Sequence, residues 1–239
     1  MPSYTIQKIL EDAAKKNQIF QKNEESHKWF YERSRRTLTS SSKLIREYSQ
    51  SDLRTTTQLQ IGCLYFFFYD PKWKDELPYY DRFPCVFLTD VWKDAGGRTQ
   101  VAGLNLHYLP YKQRALLMDA LLDLENNATL TKDKKLKISY GILKKAAASK
   151  WFRPTYKRYL KSHVRSRLVK VPYEEWTVAA FLPVQEFEKA TTRDVWADSV
   201  RRIQGKPRKA KPRSGNTSSV KPASVPSVKP RRNRNTPTK

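Results

Sequence analysis

The chain predicts an α+β protein: a small antiparallel aromatic β-meander or half-barrel, flanked by N-terminal helices and a basic C-terminal helical region, then a disordered basic tail. Three observations predict it. Aromatic, strand-like runs cluster between 60 and 110, helix-periodic segments lie on either side of them, and the last 35 of the 239 residues lack the means to build a core.

Residues 5–17 read as a short helix, and "NEESHKWFYERSRRTL", 23–38, as a second with acidic residues in its opening turn, where the helix dipole favours them. The polar, Ser/Thr-rich stretch 39–58 reads as a linker. The pattern then changes to "QIGCLYFFFYDP", 60–71, a buried strand ended by a turn. "FPCVFLTDVW", 83–92, is a second strand, and "QVAGLNLHYLP", 100–110, a third after a turn at "DAGG". No crossover helix fits between strands so close, so they pair antiparallel. Helices follow at 111–126, 139–148, 150–168 and 186–203, with an extended segment at 177–184. The tail from Gly205 has no aromatic residue and only Val220, Val225 and Val228 as apolar side chains larger than alanine, too few to offset its ordering entropy. The expected organisation is 1–58, N-terminal helices and linker; 59–204, meander plus basic helical domain; and 205–239, tail. Cys63 and Cys85 are too few for a disulfide framework and read as two buried thiols, with a bridge between them as the alternative. No run approaches the roughly 20 apolar residues of a membrane span, and "MPSYTIQKIL" lacks a signal-peptide pattern, so no membrane partner and no secretion by that route are expected.

The formal net charge of +24 is unevenly placed. From Lys134 to Tyr173 there are 13 Lys or Arg and no acid; from Gly205 onward there are 11 and again none. Together they hold 24 of the 47 basic residues, leaving 23 basic against 23 acidic elsewhere. Two acid-free blocks in a balanced chain point to a polyanion. In "KWFRPTYKRYLKSHVRSRL", 150–168, Phe152, Tyr156, Tyr159, Leu160, Val164 and Leu168 fall near helical spacing, and Arg153, Lys157, Lys161 and Arg165 follow at four-residue steps on another face. With Lys144, Lys145 and Lys150 before them and Arg158 and Arg167 alongside, they predict a basic helical ridge about 20 Å long. Such a ridge matches a run of phosphates, with an acidic protein surface as the competitor.

Charge also sits in apolar company. Pro78 and Pro84 bracket "YYDRF", predicting a tight extended corner in which Asp81 caps the turn and Arg82 reaches another acid or a ligand phosphate. No glycine-rich phosphate loop is present, and His27, His107 and His163 lie far apart, so they read as core or surface residues and no cofactor or metal is expected. Asp70, Asp75, Glu76 and Asp81, with Lys72 and Lys74 of "YDPKWKDE", are the best candidates for a metal nuclease, a minority reading against a non-enzymatic protein.

Three longer stretches carry a resemblance. "YFFFYDPKWKDELPYYDRFPCVFL", "GLNLHYLPYKQRALLMDALL" and "FRPTYKRYLKSHVRSRLVKVP" are similar to the DNA end protector family of T-even-like tailed bacteriophages, over roughly 62–200. The link through "TDVWKDAGGRTQVA" is busier than in that family, and the tail after 204 is an extension of it. The resemblance implies a minor virion protein that binds the ends of the linear double-stranded genome. It would enter the host cytoplasm with them and block host exonuclease, and would also aid head completion or head–tail joining beside portal, neck or tail proteins. A purely structural neck, tail or baseplate role is the alternative. In the end-binding role Tyr79 and Tyr80 are the candidates to stack on terminal bases, with core packing as their other reading.

Overall fold

A computed structural model describes residues 4–37, 39–50, 55–56, 58–125, 129 and 131–205. The predicted tail therefore lies outside the described residues, apart from Gly205.

Three helices come first. α1 (Thr5–Lys15) buries Ile6, Ile9 and Ala13, and its opening amide and Thr5 hydroxyl both donate to the Glu47 carboxylate, at 3.1 and 3.0 Å. α2 (Glu24–Arg36) opens on Asn23, whose side chain accepts from Ser26 N at 2.7 Å. α3 (Ser41–Ser49) occupies the stretch predicted as a linker: Ser40 caps it, and Leu44 and Tyr48, one turn apart, are buried.

The strands are β1 (Thr55–Thr56), β2 (Leu64–Phe66), β4 (Cys85–Lys93), β5 (Thr99–Asn105), β6 (Tyr156–Leu160) and β7 (Leu168–Val171). They form one antiparallel sheet in the order β1-β7-β2-β4-β5-β6. A second ribbon pairs β3 (Tyr80–Asp81) with β8 (Phe187–Glu188). α4 (Tyr111–Glu125) and α5 (Lys132–Ala148) follow β5; α6 (Trp176–Phe181) and α7 (Thr192–Ile203) close the described chain. α7 begins with a reciprocal capping box between Thr191 and Asp194.

Both faces of the sheet are apolar. One carries Leu64, Phe66, Phe87, Leu104 and Val169 against the helices, in a single core that includes Ile6, Phe30 and Leu44. The other encloses Cys63, Tyr65, Phe67, Val86, Leu88 and Tyr159. The sheet rolls to achieve this: Arg165 N donates to Phe68 O at 2.8 Å, Asp70 N to His163 O at 3.1 Å, and the Tyr69 ring meets Tyr159 edge-on at 4.9 Å. The half-barrel expectation is met. Cys63 and Cys85 are free, buried and assigned to opposite faces, and burial pushes both thiols up from their ordinary range.

A bulge, a device that sharpens local twist, lies between Leu88 and Asp90 opposite Gly103. A methyl group on Gly103 would lie 2.1 Å from the Phe87 carbonyl oxygen and 2.7 Å from Val86 Cγ1, and the backbone oxygen cannot rotate aside. Gly103→Ala is expected to destabilise the fold by about 1–3 kcal/mol, read as a lower urea midpoint at unchanged slope.

Two predicted elements are corrected. Residues 150–168 are not a helix: a 3-10 turn at Arg153–Thr155 leads into β6, and another at Lys161–His163 follows it. The open edge of β5 supplies partners to Tyr156–Leu160, and aromatic residues suit that pleated position. Residues 177–184, expected to be extended, begin instead within α6, whose residues are nearly all buried, so no exposed face marks its period.

Candidate nucleic-acid interface

The Pro78–Pro84 corner is built around a buried carboxylate. Asp81 Oδ1 accepts from Phe83 N at 3.1 Å and Glu186 N at 3.2 Å; Oδ2 accepts from Asn105 Nδ2 at 3.0 Å and His107 Nδ1 at 2.8 Å. His107 is fully buried, and burial, the largest influence on it, lowers its pKa below 6.5, although the Asp81 charge opposes the shift. Nδ1 faces the carboxylate, while Nε2 is buried with no hydrogen-bond partner among the described residues. Arg82 points outward to Glu188 at 3.1 Å and is exposed, so of the two charges only Asp81 is buried and needs internal partners.

A cleft of about 430 Å³ opens beside this corner, along β6 at the edge of the sheet. Tyr79, Tyr108 and Tyr159 line its inner part, where burial pushes the Tyr108 and Tyr159 phenols well above their ordinary range. Tyr80, Tyr156 and the Pro71–Leu77 turn form its sides, and Trp73 at the lip is 57% exposed. The cations are set on rings. Lys157 Nζ lies 3.9 Å from the Tyr108 centroid, Lys72 Nζ 4.7 Å from Trp73, and the Arg158 guanidinium 5.9 Å from Trp92. Among the described residues none of these three has a carboxylate within ion-pair distance, whereas Arg98, also on the cleft, is held by Asp94 at 2.9 Å. Burial, reinforced by Arg202, lowers the Lys157 pKa from 10.5 to about 8, against the pull of Asp198. The one acid on the lining, Asp81, has both oxygens engaged inward.

The predicted basic residues do not form one ridge. Strand periodicity sends Lys157 and Arg158 to opposite faces of β6, and both border the cleft only because β6 is an edge. Arg165 and Arg82 meet in a separate polar groove with Asp70 and Glu188. Arg167 turns toward α3, 3.5 Å from Ser49 O. Lys144 pairs with Asp90 at 3.8 Å and donates to Tyr140 at 2.9 Å, while Lys145, Lys150, Arg153 and Lys161 are exposed. Tyr79 is buried and its hydroxyl donates to Asp198 at 2.5 Å, so core packing is its observed role; Tyr80 remains partly open to both the cleft and the groove.

Sequence reasoning missed Trp73, Tyr108, Tyr156 and Arg98 as members of one site. Trp73 carried a signal, a tryptophan among lysines in a turn; the others had none, because distant pairing gathers them. The proposed nuclease acids do not converge. Asp81 is buried against His107, Asp70 pairs outside with Lys74 at 3.2 Å, and no group of three potential metal ligands exists among the described residues.

Fold and cleft together define a basic α+β protein whose open site offers aromatic rings and uncompensated cations, a combination suited to flat rings that carry negative charge. The chain belongs to the phage T4 terminal DNA protecting protein family, whose model it matches over residues 5–201. No curated protein and no solved structure matches it. Membership makes it a bacteriophage protein concerned with the protection of DNA ends. No helix among the described residues is long and apolar enough to cross a membrane.

Proposed function

We propose that this protein binds the ends of linear double-stranded DNA, without cutting them, and shields them from exonuclease. The observation that carries this reading is the cleft, where rings and unpaired cations meet at an open sheet edge in a chain of net charge +24. Exposed Lys145, Lys150, Arg153 and Lys161 supply phosphate contacts that hold the protein on the duplex without reading its sequence. Family membership supports a place in the virion, delivery with the genome into the host cytoplasm, and a host exonuclease as the threat; assistance in head completion and tail joining belongs to the same proposal.

Linear duplex saturated with the protein at about 0.15 M salt is expected to resist a processive exonuclease while an internal site stays open to an endonuclease. Equal protection of ends and internal sites would reduce the role to coating. No duplex affinity at that salt would favour a structural neck or tail protein, whose basic surface meets acidic protein.

A further inference from the structure

We infer that the β6 cleft accommodates a single unpaired nucleotide at the DNA terminus, its base against Trp73 and Tyr80 and its phosphate at Lys157. The inference rests on the end-binding reading and deepens it.

Size decides first. A B-form duplex, whose major groove alone is about 12 Å wide, cannot enter a cavity of about 430 Å³, yet that volume lies within the roughly 300–1,000 Å³ of small-ligand sites. What enters is one residue of the strand, and extrusion is least costly where a base has no pairing partner. The lining then separates base from phosphate. Trp73 is exposed in a turn whose Lys74, Asp75 and Leu77 carbonyls accept from Lys189, and Tyr80 is partly open; both line the cleft and present apolar ring surface. Stacking on such rings needs no particular base.

The cations supply the second half. Elsewhere on this surface, Lys74, Arg82, Lys144 and Arg165 each have a carboxylate within 4 Å. Lys72, Lys157 and Arg158, all on the cleft, have rings instead, among the described residues. A ring leaves the outer hydrogens of an ammonium or guanidinium available, so a phosphate can be taken without breaking an ion pair. Of these three cations Lys157 is the most shielded from water, facing Tyr108 from the turn after β5 and Arg202 and Asp198 from α7, so an entering phosphate restores solvation that the fold removed.

The test uses the full chain and three otherwise identical short duplexes: blunt, with one unpaired terminal 2-aminopurine, and with one unpaired terminal abasic residue. The overhanging base is expected to bind about tenfold tighter than the blunt end, with quenched 2-aminopurine fluorescence, and the abasic end to lose most of that gain. Trp73→Ala should erase the preference and the quenching; Arg167→Gln, outside the cleft lining, should preserve both. Equal binding of all three duplexes, or a preference that survives Trp73→Ala, overturns the inference. A covalently closed circle separates the two readings. If linear duplex outcompetes the circle but the overhang adds nothing, the cleft assignment alone fails; if the circle competes equally, end binding fails with it.

Discussion

Asp81→Ala is expected to remove about 3–5 kcal/mol of folding stability, a large part of the 5–15 kcal/mol typical of a domain. The carboxylate satisfies four buried donors that come from three separate places: its own corner, the end of β5, and the segment before β8. An alanine leaves His107 Nδ1 and two backbone amides without their acceptor and Asn105 Nδ2 with only the Tyr159 hydroxyl, at 3.2 Å, and each orphaned group costs about 1–3 kcal/mol. Asp81→Asn should be nearly as damaging, because its amide hydrogens would face the His107 and Asn105 donors. Urea midpoints measure both variants; a change below about 0.5 kcal/mol, the range of an ordinary surface substitution, would show that the network contributes little. The same centre makes stability depend on pH. Because the folded-state pKa of His107 lies below 6.5, the unfolded chain binds the proton first, so its contribution is complete above about pH 6.5 and is lost as the pH falls toward the folded value. The midpoint should therefore decline below about pH 6.5; one that rose there would show the ring charged in the folded state.

Replacing Lys72, Lys157 and Arg158 together by glutamine is expected to flatten the slope of log K against log salt by up to about three units, and to open DNA ends to exonuclease. Each side chain lies at the cleft and none completes an ion pair among the described residues, so the fold should lose little. A matched triple substitution of Lys145, Arg153 and Arg167 should flatten the slope but leave ends protected once the protein is raised to saturation. End protection that disappears equally in both variants would assign it to charge alone. The cleft also carries a pH signature. Lys157 loses its proton as the pH rises through about 8, so affinity for ends should fall between about pH 7 and about pH 9. Bound phosphate favours the ammonium, so binding near the upper end of that range should take up a proton, measurable as buffer-dependent heat.

Much of the scaffold was legible locally. Acidic residues opening α2, the turn at Ala95–Gly96 and the three aromatic strands follow from short-range preferences, and the internal partners of Asp81 follow from the cost of burying charge. The basic segment after Lys150 forms a strand despite its helical spacing for a physical reason. Tyr156, Tyr159 and Leu160 satisfy a helical period, but β6 is an edge strand with both faces partly covered, so it shows no clean alternation either. What tipped the backbone was the unpaired edge of β5, more than 50 residues earlier in the chain, as the pairing of Val101 with Tyr159 shows. α3 was hidden by serine content, although Leu44 and Tyr48 lie one turn apart within it.

The sequence by itself determined the amount and sign of charge, its confinement to two acid-free blocks, and the need to neutralise a carboxylate among aromatics, since these are sums and local costs that hold in any conformation. Only the tertiary structure decided where each cation points and which rings it meets. Direction depends on whether a backbone repeats every two residues or every 3.6, and here that choice was made by a hydrogen-bonding partner remote in the chain.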